Sequence, residues 1–406
     1  MVRNSAGIGM NDKKKSDFFR ADLAHDLSQI RSPFAFEPWH KPRKQWVREK
    51  QWGNGIKNFV ERYLDLSERP LTYLTLPGED FLDVRHLQKI AVDVGFELDF
   101  QGFVTERSAN HELSLSEIRD LQNICVESDI IPYKFETISK KKSLGREAAT
   151  RPLGFDVVNL DFCNSVGALE AGTQGSAIDA IVSLIELQSL QRLEPWMLFV
   201  TSKCDPKSVS QSVRSSLAKV FHQNCSAGEF EQKVSEKLAL TTSIADQIGA
   251  AEAKTEQIEQ IDAAANFNFF GLGFTKWLIS IAFANWEVAP GNLAGYRVYN
   301  NDLGCDMFSS VYYFKRMTPP HIDKSGLSTK KTIIPRAAET ELAIKAIGKI
   351  ESFTDVDKYL NENSEEHEQL IVSNANLLAE ARFDHDKAKE WGESVAWRPS
   401  SEIEIT

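Results

Sequence analysis

Short apolar runs alternate with helix-like segments through the first half of the chain, and this alternation limits the possible folds more than any other feature. The runs are rich in β-branched, leucine and aromatic residues, and they lie at residues 71–76, 100–104, 132–138, 155–160 and 196–201. Between them, segments such as 83–94 and 178–187 carry apolar residues at helical spacing. This pattern is typical of parallel sheets. It predicts an α/β fold with a Rossmann-like, doubly wound, mostly parallel sheet.

The second half of the chain predicts additions to this sheet. Residues 206–265 are rich in Ala, Glu, Gln, Lys and Ser, which predicts a helical insertion. Two aromatic runs at 296–299 and 307–314 flank a turn at 301–304, which predicts an antiparallel hairpin at the sheet edge. We therefore divide the chain into a flexible leader (1–35), an α/β domain (36–320) and an acidic helical C-terminal extension (321–406).

Composition excludes several classes of protein. Hydrophobic residues at 42% and charged residues at 26% are the balance of a folded globular chain. The apolar stretch 277–286 is too short to cross a bilayer, and the leader lacks the apolar core of a secretory signal, so we expect a cytoplasmic protein without membrane contact. The five cysteines are widely separated and show no zinc-ligand spacing, so no metal site is predicted. A net charge of −11 argues against indiscriminate coating of nucleic acid.

Polar residues follow the first two predicted strands, where open α/β sheets bind ligands. After the first strand, Pro77 and Gly78 form a turn that lets a cofactor approach the backbone, and Glu79 or Asp80 is placed to meet a cationic group. The alternative is an ordinary turn before a helix. Glu106 follows the second strand at the spacing from Gly78 that suits a ribose-binding acid, and the alternative is a solvated carboxylate.

The fourth predicted strand ends in a polar cluster. We assign Asp161 as the group that orients or deprotonates a substrate and Asn164 as a hydrogen-bonding partner of the substrate, both as catalytic residues. Phe162 is predicted to stack on a planar ring of the cofactor. We interpret Cys163 as a small apolar residue rather than a nucleophile, because the sequence pairs no histidine with it.

A basic segment precedes the sheet. Lys41, Arg43, Lys44 and Arg48 are interleaved with Trp46, and such a pattern can contact phosphates and stack on a base. We therefore predict nucleic-acid binding through residues 40–50. The alternative, of equal weight, is a helix with proline in its first turn whose cations lie along the surface while the tryptophan faces the core.

These strand ends resemble the class I S-adenosylmethionine-dependent methyltransferase superfamily over residues 38–318. Residues 71–78 stand at the position of the family's glycine loop, Glu106 at its ribose-binding acid, and 155–165 at its fourth motif. In members that methylate exocyclic amines, that motif begins with Asp or Asn followed by Pro-Pro and an aromatic residue. Here it reads Asp161-Phe162-Cys163-Asn164, and the loop keeps one glycine. The resemblance implies S-adenosylmethionine as the cofactor.

Two functions follow from this reading. The first is a divergent S-adenosylmethionine-dependent methyltransferase that acts on or binds nucleic acid. The second is a catalytically inactive subunit of the same fold, since members that have lost these motifs serve as non-catalytic subunits. In that case, the helical insertion and the C-terminal helices would bind protein partners, within a bacterial multi-protein system such as anti-phage defence.

Overall fold

An eight-stranded sheet forms the centre of the chain in the computed structural model, which describes residues 35–151, 153–169, 175–226, 228–250, 261–298, 304–317 and 339–396. Its strands are Leu71–Thr75 (β1), Leu98–Phe103 (β2), Asp129–Ile131 (β3), Val157–Asp161 (β4), Trp196–Lys203 (β5), Trp286–Tyr296 (β6), Met307–Arg316 (β7) and Thr354–Asp355 (β8).

Helices precede, connect and follow these strands. The α-helices are Pro42–Trp46 (α1), Asn54–Tyr63 (α2), Leu82–Val94 (α3), Ala109–Arg119 (α4), Leu144–Ala148 (α5), Ala177–Gln191 (α6), Gln211–His222 (α7), Gly228–Leu238 (α8), Thr242–Ala250 (α9), Ala263–Ala282 (α10), Glu339–Glu351 (α11), Val356–Glu362 (α12), Ser364–Glu380 (α13) and His385–Ser394 (α14). A π-helix, Val47–Gly53, joins α1 to α2, and 3-10 helices cover Pro38–His40 and Phe135–Ser139.

The strand order is β3-β2-β1-β4-β5-β7-β6-β8. Strands β1 to β5 pair in parallel, and β7 is antiparallel to both β5 and β6. A doubly wound, mostly parallel sheet with an antiparallel hairpin confirms the predicted fold class. The hairpin of β6 and β7 is present, and the two-residue strand β8 pairs with its outer side. The order reverses between β1 and β4, which makes that junction the switch point where such sheets bind ligands.

Both faces of the sheet are buried. In β1, Leu74 belongs to the apolar cluster that contains α6 and α10, whereas Tyr73 belongs to the cluster formed with the π-helix, α2 and α3. Burial on both sides explains why the central strands are almost continuously apolar in sequence. On this second face the N-terminal helices lie over β5, β6 and β7, and Trp52 packs against Phe199 on β5.

A buried carboxylate links the chain at the amino-terminal ends of β1 and β4. Asp156, which has no exposed surface, accepts hydrogen bonds from Arg69 at 2.8 and 3.0 Å and from Arg192 at 2.6 Å. It also accepts a hydrogen bond from the backbone N–H of Thr72 at 2.8 Å. Burial raises the pKa of Asp156, but the hydrogen bonds from Arg69 and the charge of Arg192 outweigh it, so the pKa lies below the usual range. The pair of β1 and β4 is thus fixed at the edge opposite the switch point.

Two of the predicted strands are misplaced. The third strand ends at Ile131, and most of the predicted run 132–138 lies in a 3-10 helix, because Phe135 and Ile138 are buried at helical spacing. Strand β6 ends at Tyr296, where the prediction of 296–299 begins. Its pattern is obscured by a register shift between Pro290 and Leu293. Of the predicted turn at 301–304, residues 301–303 lie outside the described residues.

The C-terminal helices pack on the N-terminal ones. Asn374 on α13 donates a hydrogen bond to the carbonyl oxygen of His40 at 2.6 Å, and Asp357 on α12 pairs with Arg43 at 2.9 Å. Residues 206–265 contain α7, α8, α9 and the start of α10. Within the described ranges, no helix is long and apolar enough to span a membrane. The division of the chain into three parts stays a prediction, and the proposed leader lies outside the described residues except for residue 35.

Candidate functional site

The carboxyl ends of β1, β2 and β4 meet at one edge of the sheet. Thr75, the last residue of β1, pairs in register with Gly102 on β2 and Asn159 on β4. Asp161 ends β4 two residues beyond Asn159, and Gly78 lies in the loop that follows β1. The sheet therefore brings the residues predicted after strands one, two and four to the same edge, on either side of the switch point.

The loop after β1 combines an open glycine with a buried proline. Gly78 is exposed, and a Cβ atom at this position would meet nothing within 4 Å. Pro77 is buried against β2, where a Cβ atom on Gly102 would lie 2.6 Å from its Cγ. Phe81 then adopts a left-handed conformation (φ 51°) at the start of α3. The proline ring thus supports the loop, while the glycine backbone stays accessible.

The two acids of this loop are bonded to protein groups. Glu79 accepts hydrogen bonds from Ser108 Oγ and Asn110 Nδ2, both at 2.9 Å, at the N-terminal end of α4. Asp80 Oδ2 lies 3.1 Å from His40 Nε2. A role of Glu79 toward a cationic cofactor group stays a prediction, and it would require these hydrogen bonds to rearrange.

The other predicted residues lie at the same edge with different exposures. Glu106 is exposed shortly after the end of β2. Phe162 is half-buried, and its ring packs edge-on against Phe135 with ring centres 6.1 Å apart. Asn164 is exposed, and its carbonyl oxygen accepts the backbone N–H of Lys203 at 3.4 Å. The side chains of Glu106 and Asn164 are therefore accessible to a ligand.

Asp161 is held by a lysine from the N-terminal helices. Lys44 Nζ donates to Asp161 Oδ1 at 2.6 Å; the Lys44 side chain is 2% exposed and that of Asp161 26%. The same ammonium lies 3.4 Å from the Tyr296 hydroxyl and 4.5 Å from the centre of the Trp52 ring. Burial lowers the pKa of Lys44, and the charge of Asp161 acts in the opposite direction. Asp161 Oδ2 has no hydrogen bond to another described residue, so it is available to a ligand.

A second polar group lies on the same face of the sheet. The Tyr73 hydroxyl donates to Asp83 Oδ2 at 3.0 Å and accepts from Asn159 Nδ2 at 2.9 Å, and the Thr75 hydroxyl also donates to Asp83. Burial raises the pKa of Asp83, although these hydroxyl hydrogen bonds act against the shift. Two nearby atoms, Asn159 Oδ1 and Arg48 Nε, are buried and have no hydrogen bond in the described structure. Such groups are costly unless water or a ligand satisfies them.

The predicted phosphate-binding face is wrong for three of its four cations. Arg43, Lys44 and Arg48 are buried, because their charges are used inside the protein. Arg43 donates to the carbonyl oxygen of Arg297 as well as pairing with Asp357, and Arg48 donates to the carbonyl oxygen of Trp39 at 2.9 Å. Lys41 is half-buried and donates to the carbonyl oxygen of Val298 at 2.5 Å. The alternative prediction is right that a proline lies in the first turn of α1, but wrong that the cations lie along the surface, because three of the four are buried.

Sequence reasoning missed the partners of Asp161. The sequence pattern predicts a phosphate contact for Lys44 and no role for Tyr296 or Asp83, although all three lie around the end of β4. Lys44 and Asp161 are 117 positions apart, and no local pattern links them. The sequence signal is weak, because a lysine two residues before a tryptophan in a helix is compatible with an inward or an outward orientation.

The groups at this edge fit the nucleoside part of S-adenosylmethionine. An exposed carboxylate at the end of β2 suits the two ribose hydroxyls, and the open space at Gly78 lets a ligand reach the backbone. Asp161 Oδ2, which has no hydrogen bond to another described residue, adds an accessible acceptor nearby. Within the ranges that the structure describes, no group of three His, Cys, Asp or Glu side chains is placed to hold a metal ion.

Comparison with known proteins gives one family and several distant structures. A family model described as PP_RS20740-like matches residues 33–393. No curated protein matches the chain. Solved structures that match include the plantazolicin methyltransferase BamL in complex with a triazolic desmethylPZN analog and SAH, at 9% identity over 75% of this chain and 91% of that chain, with a TM-score of 0.33. Another is the N-methyltransferase NodS from Bradyrhizobium japonicum WM9 in complex with S-adenosyl-L-homocysteine, at 10% identity over 66% and 87%, with a TM-score of 0.27.

Proposed function

The chain belongs to the PP_RS20740-like family, and from its methyltransferase-type sheet we propose that it is a methyltransferase that binds S-adenosylmethionine where β1, β2 and β4 end. The observation that carries the proposal is the position of Asp161. Its carboxylate lies at the switch point, where Lys44 fixes one oxygen and the other has no hydrogen bond to another described residue. A carboxylate fixed in this way is suited to orient a bound nucleophile.

The proposed role of each residue follows from the atoms that it exposes to a ligand. The exposed carboxylate of Glu106 would accept the ribose hydroxyls, and the backbone at Gly78 would lie against the cofactor. When bound, S-adenosylmethionine supplies an electrophilic methyl group. Asp161 Oδ2 would accept a hydrogen bond from an N–H or O–H of the acceptor, and the exposed Asn164 would add a second contact. In this arrangement Asp161 positions the acceptor.

A second candidate, a non-catalytic binding subunit of the same fold, is favoured by a different observation. The acids of the loop after β1 are already bonded to Ser108, Asn110 and His40, so they are occupied before any cofactor binds. The helical insertion and the C-terminal helices would then be the protein-binding surfaces. Nucleic-acid binding through residues 40–50 is not carried into either proposal, because three of the four cations are buried.

Titration calorimetry with S-adenosylhomocysteine tests the proposed cofactor site. We expect the natural protein to bind, and Glu106→Gln to weaken binding by roughly 10- to 100-fold, because hydrogen bonds to a charged group contribute about 1.5–3 kcal/mol. Glu97→Gln is the matched control: Glu97 is also exposed but precedes β2 at the opposite edge, and we expect no change. The absence of heat at millimolar ligand would contradict the proposal.

A methyl-transfer assay distinguishes the methyltransferase from the non-catalytic binding subunit. Incubation with radiolabelled S-adenosylmethionine and fractionated cell extract should label an acceptor, and Asp161→Leu should abolish the labelling while S-adenosylhomocysteine still binds. Cofactor binding without labelling of any fraction would support the non-catalytic subunit instead.

A further inference from the structure

Positive charge is in excess after β3, where residues 134–142 contain four lysines and one acid, Glu136. Lys134, Lys140, Lys141 and Lys142, which we call the basic turn, are all exposed, and within the described residues none of them forms an ion pair. The arginines of the same stretch behave differently, because each neutralises an acid: Arg146 pairs with Glu186 at 3.6 Å and Arg151 with Asp99 at 2.5 Å. The four lysines therefore keep their charge on the surface of a chain whose net charge is −11.

The basic turn is fixed by its own backbone. The N–H of Lys140 donates to the carbonyl oxygen of Thr137 at 3.0 Å, and the N–H of Ser143 donates to that of Lys140 at 3.1 Å. The Ser143 hydroxyl donates to the Thr137 carbonyl at 2.6 Å. Gly145 packs beneath, where a Cβ atom would lie 2.0 Å from the Thr137 hydroxyl. A turn fixed in this way loses little conformational freedom when it binds a partner.

One aromatic side chain links the basic turn to the candidate site. Phe135, next to Lys134, packs edge-on against Phe103 at the end of β2 and against Phe162, with ring centres 5.9 and 6.1 Å apart. Phe162 directly follows Asp161 in sequence. The 3-10 helix that begins the basic turn therefore starts at the ligand-binding edge of the sheet.

We propose that the basic turn binds the phosphate backbone of a nucleic acid. Four exposed lysine side chains lie within nine residues, 134–142, and several separate charges suit a series of phosphates better than a single small anion. Lysine contacts phosphate as a point charge and reads no base edge, so the binding would be independent of sequence. This surface replaces the buried segment 40–50 as the site of nucleic-acid contact, and it does not depend on the proposed cofactor site.

Fluorescence anisotropy with short labelled single-stranded and duplex oligonucleotides tests the inference on the full chain. If all four lysines contact phosphates of a duplex, raising the salt from about 50 to about 200 mM should weaken binding roughly 150-fold. In the variant Lys140→Gln/Lys141→Gln/Lys142→Gln, the same change in salt should weaken the remaining binding only about 3- to 4-fold. The matched control is Lys345→Gln/Lys349→Gln/Lys389→Gln, exposed lysines on α11 and α14, which removes the same charge and should leave the salt dependence unchanged.

Three results would overturn the inference. The first is no binding of either oligonucleotide at low salt. The second is an equal loss in the two triple variants, since that would show an effect of net charge alone. The third is binding to phosphatidylserine vesicles through these lysines without binding to oligonucleotides, which would assign the surface to a membrane. None of these results bears on S-adenosylhomocysteine binding, so the two proposals fail separately.

Discussion

Replacing Lys44 or Asp161 singly and together measures whether the ion pair that defines the site is formed. Breaking a buried ion pair by removing one partner costs about 3–5 kcal/mol, because the other charge stays in a poorly solvated environment. The two partners differ in exposure, at 2% for Lys44 and 26% for Asp161. Lys44→Met leaves the better-solvated charge alone, so we expect a loss near the lower limit, about 3 kcal/mol.

Asp161→Leu leaves the more deeply buried ammonium alone. Only the Tyr296 hydroxyl and the face of Trp52 then remain close to Lys44 Nζ, so we expect the larger loss, about 4–5 kcal/mol. Removing both charges eliminates the unpaired group, and the double variant should be more stable than Asp161→Leu. The expected coupling in the double-mutant cycle therefore exceeds the cost of Lys44→Met, about 3 kcal/mol, at the upper end of the range for directly contacting residues.

Urea unfolding at neutral pH, followed by circular dichroism and tryptophan fluorescence, provides the free energies for this cycle. Lys57→Met, an exposed lysine on α2, is the control and should change stability by less than about 0.5 kcal/mol. Strict additivity of the two single changes would refute the reasoning. So would a Lys44→Met variant as stable as the natural protein, because the ammonium would then not be buried against the carboxylate.

Three further changes test other parts of the structure. Burial and the charge of Arg48 lower the pKa of His86 to about 3, below the unfolded value near 6.5. The unfolded state therefore takes up the proton first, and the free energy of unfolding falls as the pH drops through this window. In urea unfolding at pH 7 and pH 5, the natural protein should lose about 2 kcal/mol more of this free energy than His86→Gln does. Asp156→Asn should cost about 3–5 kcal/mol in the same assay, because two arginines lose their partner; an unchanged midpoint would contradict the network. Gly102→Ala should lower the free energy of unfolding by about 1–3 kcal/mol, because the new Cβ atom would clash with Pro77, whereas Gly78→Ala should leave it unchanged; equal stability of the two variants in urea unfolding would contradict this packing.

The central strands were predictable because burial on both faces leaves a strong sequence signal. The prediction of 71–76 corresponds to Leu71–Thr75, and that of 196–201 to Trp196–Lys203. The third strand has three residues, too few for any periodicity, so the apolar residues of the following 3-10 helix were taken for it. In Trp286–Tyr296, a proline and two glycines dilute the strand pattern.

The residues that follow the strands could be predicted from the sequence, whereas the residue of the N-terminal helices that pairs with Asp161 could not. Asp161 could be placed because its position depends on local sequence, the end of an apolar strand in a parallel sheet. The orientation of Lys44 depends on which side of α1 faces the sheet, and that is decided by contacts with distant elements such as α12 and β6. A basic segment in sequence is therefore compatible with an external phosphate site and with an internal ion-pair network, and only the packing distinguishes them.

A crystal structure of the full chain with S-adenosylhomocysteine is the most direct test of the proposed cofactor site. We expect the ribose hydroxyls on the carboxylate of Glu106, the ligand against the backbone at Gly78, and the Lys44–Asp161 pair intact beside it. Ligand density elsewhere on the protein, or none at saturating concentration, would contradict the assignment of this edge of the sheet as the cofactor site.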